Sequence, residues 1–187
     1  MKFEQLEIPD LILIHPRVFE DERGYFFESF NKNNFTEAGI TEEFVQDNQS
    51  LSQPGVLRGL HFQTGAFAQS KLVRVIKGAV LDVAVDIRKG SPTYGKHFSV
   101  ELNEINKLML YIPIGFAHGF LTLAEDTIFS YKCGNVYNKA SENGIMWDDP
   151  DLKIQWNVTN PILSDKDKTN VNFTSFNSPF DFIPKLK

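Results

Sequence analysis

The stretch KLVRVIKGAVLDVAVDIR, residues 71–88, decides the architecture of this chain. It holds two β-branched, alternating segments on either side of Lys77-Gly78. Alternation with period two marks strands, and a glycine between them supplies the positive φ of a tight turn, so the stretch predicts a β-hairpin. In its second half Leu81, Val83, Val85 and Ile87 share one face while Asp82, Ala84 and Asp86 share the other. That pattern predicts one core face and one more polar face.

Working outward, further short strands are predicted at 11–15 (LILIH), 25–30 (YFFESF), 55–63 (GVLRGLHFQ), 97–102 (HFSVEL), 107–113 (KLMLYIP), 118–124 (HGFLTLA) and 126–133 (DTIFSYKC). The turn-rich segments KGSPTYG and IPIGF break them at close intervals. Many short strands without intervening long helices predict an all-β antiparallel barrel or jelly roll rather than alternating β-α units. Helix is sparse. The best candidate is NKNNFTEAGI, residues 31–40, with Asn31 or Asn33 as its cap and Gly39 at its end.

The 187 residues fit a single domain spanning 1–187, with an Asn-, Ser-, Asp- and Pro-rich tail wrapping over it from about residue 160. At 42% hydrophobic and 23% charged residues, the composition is that of a folded soluble protein, not a disordered one. A net charge of -5 offers no basic surplus for a polyanion, so no nucleic-acid partner is expected. The apolar run LILI is too short for a membrane span and follows Glu4, Glu7 and Asp10, so no membrane partner is expected either. The lone Cys133 excludes an intrachain disulfide and suits a reducing compartment, which points to the cytoplasm. Seventeen phenylalanines suit the filling of a sandwich or a subunit interface.

Within GVLRGLHFQ, Arg58 and His61 stand three residues apart in an apolar segment. In a regular strand they would point to opposite faces. A bulge at Gly59 would aim both inward; alternatively Arg58 lies on the surface and His61 is a core histidine bonded to a carbonyl. A second constellation is IPIGFAH, where Pro113, Gly115 and His118 form a P-x-G-x-x-H pattern. With the earlier histidine-bearing strand and the glycine turn it resembles the two-motif skeleton of a cupin jelly roll. Cupin metal sites draw a His-x-His pair and a carboxylate from the first motif, whereas Phe62 and Gln63 follow His61 here. Such sites usually need three protein ligands, so a metal-free barrel is expected.

The segments DERGYFFE (21–28), QDNQSLSQPGVLRGLHFQ (46–63), QSKLVRVIKGAVLDVAVDIRKGSPTYG (69–95), IPIGFAHGF (112–120), YKCGNVY (131–137), ENGIMWDDPDLKIQW (142–156) and LSDKD (163–167) closely resemble the dTDP-4-dehydrorhamnose 3,5-epimerase family. QTGAFAQSK and the tail after Asp167 depart from its pattern. The resemblance implies a cofactor-free, cupin-like homodimer that inverts two carbons of a dTDP-linked 4-keto-6-deoxy sugar on the route to dTDP-L-rhamnose.

A 4-ketone acidifies both neighbouring C–H bonds, because the carbanion delocalises into an enolate. Inversion then needs a base on one face, an acid on the other and a cation at the ketone oxygen. His61 is the candidate base, since imidazole exchanges protons near neutral pH. By resemblance, Asp167 orients it, Tyr131 is the acid and Tyr137 shapes the same pocket. Lys71 is the candidate enolate stabiliser. Outside the family pattern, Tyr131 reads as a core tyrosine and Lys71 as a strand-edge lysine. Arg23, Arg58 and Lys166 are candidates for the diphosphate. Glu28, Gln46, Asn48, His118 and Glu142 match family positions that line the substrate site. Rival readings are a single-centre epimerase, a ketoisomerase on the same barrel, a non-catalytic sugar-nucleotide-binding cupin and, least favoured, a metal-dependent oxygenase.

Overall fold

The computed structural model describes residues 1–184. Its strands are β1 (Lys2–Gln5), β2 (Ile12–His15), β3 (Phe19–Asp21), β4 (Gly24–Phe26), β5 (Gln46–Ser52), β6 (Leu57–Gln63), β7 (Lys71–Lys77), β8 (Ala79–Asp86), β9 (His97–Asn103), β10 (Met109–Ile112), β11 (Phe116–Thr122), β12 (Thr127–Cys133) and β13 (Glu142–Gly144). One α-helix, α1 (Lys32–Glu37), follows β4. The Asn31 side chain caps it by accepting the amide N–H groups of Asn33 and Asn34.

A six-stranded sheet, ordered β1-β2-β10-β7-β12-β5, faces a five-stranded sheet, ordered β13-β6-β11-β8-β9; β3 and β4 form a separate ribbon. Pairing within both sheets is antiparallel, which makes the domain a jelly roll. Val73, Val75, Leu110, Ile112 and Phe129 from the first sheet pack with Val80, Ala84, Leu102, Phe116 and Phe120 from the second. Each of these side chains except that of Ala84, withdrawn from water, contributes about 1.5–3 kcal/mol. Among the described residues no helix is long and apolar enough to cross a membrane.

The opening stretch folds differently from the expected hairpin. β7 and β8 do not pair; they belong to opposite sheets, and Gly78 is the corner between them. Its φ of +81° favours glycine, and a Cβ there would stand 2.3 Å from Thr127 Oγ1. The corner's amides find other partners, Gly78 N–H on Glu104 Oε1 and Ala79 N–H on Thr127 Oγ1. The polar face expected on β8 is buried as well, with Asp82 and Asp86 both 0% exposed. Each aspartate carries a cationic or imidazole partner, Arg88 on Asp86 and His118 on Asp82. Leu81, Val83, Val85 and Ile87 are covered from the other side by Ile145, Leu152, Trp156 and the tail.

The YFFESF strand stops at Phe26 because the following rings leave the ribbon. Phe27 meets the Arg74 guanidinium, while Phe30 joins Phe35 and Phe44 on the outer face of the six-stranded sheet. The expected tail crosses the five-stranded sheet, with Ile162 bridging Val56, Val171 bridging Ile145 and Asp181 bridging Lys89. Phe176 and Phe180 pack edge-on against Phe62, directly behind His61. Residues 185–187 of that tail lie outside the described residues.

Candidate active site

The site begins with a local irregularity. His61 pairs with His118 and Arg58 with Phe120, so three steps along β6 oppose two along β11. The extra residue is a bulge. Gly59 occupies it with φ +136°, its backbone so close to β11 that an added Cβ would stand 2.5 Å from Gly119 Cα. The alternation resets there, and Arg58 and His61 both line one cavity of about 490 Å³ between the sheets.

Lys71 from β7, His118 and Phe120 from β11, Tyr131 from β12 and the turn carrying Lys166 and Asp167 complete that chamber. A second chamber of about 310 Å³ shares His61, Lys71 and Tyr131 and adds Gln46, Asn48, Tyr137 and Glu142. The five-stranded sheet therefore presents His61, and the six-stranded sheet presents Lys71 and Tyr131 across from it. Arg23 and Glu28 are not brought to either chamber of their own chain. Arg23 is exposed on the β3–β4 ribbon and paired with Asp21; Glu28, also exposed, accepts a hydrogen bond from Asn31.

The hydrogen bonds sort the ionisable groups. His61 Nε2 bonds Asp167 Oδ1, and Ser164 Oγ donates to Asp167 Oδ2 at 2.9 Å. Burial works to raise the Asp167 pKa, but the His61 and Ser164 bonds overcome it and hold the carboxyl below its ordinary range. His118 Nε2 bonds Asp82 Oδ2 at 2.9 Å behind the cavity wall. Burial nevertheless pushes His118 below its usual value.

Among the described residues the Lys71 side chain has no hydrogen-bond or ion-pair partner; its Nζ lies 6.0 Å from the centre of the Tyr131 ring. Burial depresses its pKa, against the pull of Cys133, Asp82 and Glu142. Burial also raises the Tyr131 phenol, keeping it a proton donor. Arg58 is steadied by Ser52 Oγ, at 3.4 Å from Nε and 3.3 Å from the terminal nitrogen. Glu142 accepts from Lys166 and, at 3.0 Å, from the Tyr137 hydroxyl. Burial opposes its ionisation, yet these two bonds hold its pKa down. Gln46 Oε1 accepts the Tyr137 amide at 2.8 Å, and Asn48 Nδ2 donates to Cys133 Sγ at 3.5 Å.

Such a chamber can remove a proton at one wall and deliver one at the other, with the Lys71 side chain between. The model of the dTDP-4-dehydrorhamnose 3,5-epimerase family matches residues 5–175. The chain belongs to that family. It is accordingly an isomerase of the epimerase type. The family's enzyme from Shigella flexneri is 54% identical over 174 residues, covering 92% of this chain and 96% of that one. The crystal structure of the dTDP-6-deoxy-D-glucose-3,5-epimerase from Legionella pneumophila, in complex with dTDP-4-keto-L-rhamnose, superposes with a TM-score of 0.94 at 43% identity, covering 98% and 99% of the two chains. A 3'-monoepimerase from Streptomyces bikiniensis in complex with dTDP-quinovose gives 0.86 at 32% identity, covering 91% and 87%. These epimerases share the cupin-type jelly roll described above.

Sequence reasoning missed Ser50, Phe120, Leu163 and Ser164 in the larger chamber and Gln63 and Gln69 in the smaller. A signal for Ser50 existed. In QDNQSLS every residue but Leu51 is polar, and Leu51 is exposed while Gln46, Asn48, Ser50 and Ser52 turn inward, so this strand offers the interior only polar side chains, as the wall of a solvated cavity does.

Proposed function

We propose that this protein inverts C3 and C5 of dTDP-4-dehydro-6-deoxy-D-glucose, giving dTDP-4-dehydro-L-rhamnose, by acid-base chemistry of its own side chains. The observation that carries this reading is the placement of His61 and Tyr131 on opposite sheets, facing one cavity that Lys71 also lines. His61, oriented by Asp167, takes the proton from the carbon beside the ketone. The C–H electrons pass into the enolate, whose oxygen meets the Lys71 ammonium in a site shielded from water. Tyr131 protonates the same carbon from the opposite face; solvent water then takes the proton from His61 and returns one to the Tyr131 phenolate, and the sequence repeats at the second carbon. No cofactor enters these steps.

Arg58 and Lys166 hold the diphosphate, which displaces Lys166 from Glu142. Gln46, Asn48, Tyr137 and Glu142 receive the nucleoside in the smaller chamber, and His118 closes the sugar end. Arg23 and Glu28 reach a cavity only in a homodimer, through the ribbon of the partner subunit. The exposure of Phe19, Tyr25 and Phe26 on that ribbon, at 51%, 57% and 67%, supports this.

The identity of 54% to a double epimerase favours two inverted centres over the single centre of the Streptomyces bikiniensis relative. Proton NMR of dTDP-4-keto-6-deoxyglucose in deuterated buffer tests it. Deuterium at both C3 and C5 with inversion at both is expected; exchange at one carbon alone would replace the proposal with a single-centre epimerase.

A further inference from the structure

We propose that Ser164 is a positioning residue for His61 and acts through Asp167, an inference that rests on the base assignment made above. Asp167 does not sit on a strand; it lies in a turn of the tail, so no ladder fixes its backbone. Its side chain is nevertheless only 2% exposed, and both carboxylate oxygens are engaged. Oδ1 takes His61 and Oδ2 takes the Ser164 hydroxyl at 2.9 Å. The same hydroxyl oxygen accepts the Asp167 amide N–H at 3.2 Å. One side chain thus ties the backbone and the carboxylate of a single residue, which fixes the rotamer that presents Oδ1 to the imidazole.

The charged and titratable groups facing the pair are Arg58 on the same strand, Lys71 from β7, His118 from β11, Tyr131 from β12, Glu142 from β13 and Lys166 from the turn. None of them bonds Oδ2, so among the described residues Ser164 is its partner alone. Without that hydroxyl a buried carboxylate oxygen is unsatisfied, and rotation toward the neighbouring Lys166 becomes the nearest relief. A histidine whose carboxylate has turned away keeps neither its tautomer nor its aim.

A residue that only capped the turn would need to accept the amide; positioning the carboxylate also requires an O–H that donates. The test compares Ser164→Ala and Ser164→Thr with the parental homogeneous protein. It measures kcat and KM on dTDP-4-keto-6-deoxyglucose, the melting temperature, and the downfield proton resonance of the imidazole N–H shared with Asp167, assigned by its loss in Asp167→Asn. Ser164→Ala is expected to lose about 10–100-fold in kcat, as loss of an outer hydrogen-bond partner does. KM should change little, the shared resonance should broaden well below the melting temperature, and Ser164→Thr should restore both readouts.

Parental kcat in Ser164→Ala, a loss confined to KM, or equal impairment in Ser164→Thr would each overturn the proposal. His61→Asn, assayed alongside, separates this inference from the one beneath it. If His61→Asn turns over normally, the base assignment itself falls. If His61→Asn is inactive while Ser164→Ala is fully active, only the role of Ser164 falls.

Discussion

Gly59→Ala tests whether the bulge on β6 creates the site. The new Cβ would stand 2.5 Å from Gly119 Cα and 2.9 Å from His118 O, both backbone atoms that no side-chain rotation can move. A φ of +136° is also one that alanine adopts only under strain. The conformational cost is about 1–3 kcal/mol, and crowding a packed strand pair costs about another 1–3 kcal/mol. For a chain of this size about 2–6 kcal/mol lowers the melting temperature on the order of 5–20 °C.

Two companion variants divide the total. Gly24→Ala, at φ +119° with nothing within 4 Å of the added Cβ, isolates the conformational part. Gly119→Ala, whose Cβ would meet Arg58 O at 2.9 Å without a positive φ, isolates the crowding. Because β6 and β11 must part to admit the methyl, Arg58 and His61 shift relative to His118. A displacement near 1 Å can cost about 10²-fold in rate. The assays are calorimetric melting and kcat/KM at a temperature where every variant is folded. A Gly59→Ala protein that melts with the parent and keeps its kcat/KM would refute the role given to the bulge.

Tyr131→Phe should still exchange substrate hydrogen for deuterium at the His61 face while inversion falls behind; NMR showing parental inversion at both carbons would remove Tyr131 as the acid. With Lys71 in the proposed cationic role and its pKa depressed by burial, activity should fall as pH rises through a value below the usual lysine range. In a kcat/KM profile, Lys71→Arg should carry that alkaline limb to higher pH if the variant is active. Activity should survive exhaustive chelation, because among the described residues no three His, Cys, Asp or Glu side chains converge on a metal position; loss on chelation and recovery with added metal would contradict this. Light scattering should give a dimer mass, and Phe26→Asp on the exposed ribbon should lower it and reduce kcat/KM together.

The sequence by itself determined the strands whose inward face is apolar, such as β7, β8, β10 and β12, because period-two alternation is a local property of the chain. It also singled out the two histidine-bearing motifs whose His61 and His118 line one cavity, and its resemblance carried the family. Tertiary structure alone decided which strands share a sheet. Gly78 has the same local conformational freedom in a hairpin as in a corner, and the pairing of β7 with β10 and β12 made it a corner. Tertiary structure also decided that β8 is buried on both faces, since the covering layer comes from residues 145–180, far along the chain. It placed Asp167 on His61 across 106 positions, a contact that the family resemblance anticipated but no periodicity encodes. Last, it left Arg23 and Glu28 outside both chambers of their own chain: position in a motif is local, but reach depends on where the separate β3–β4 ribbon and the segment after it are placed.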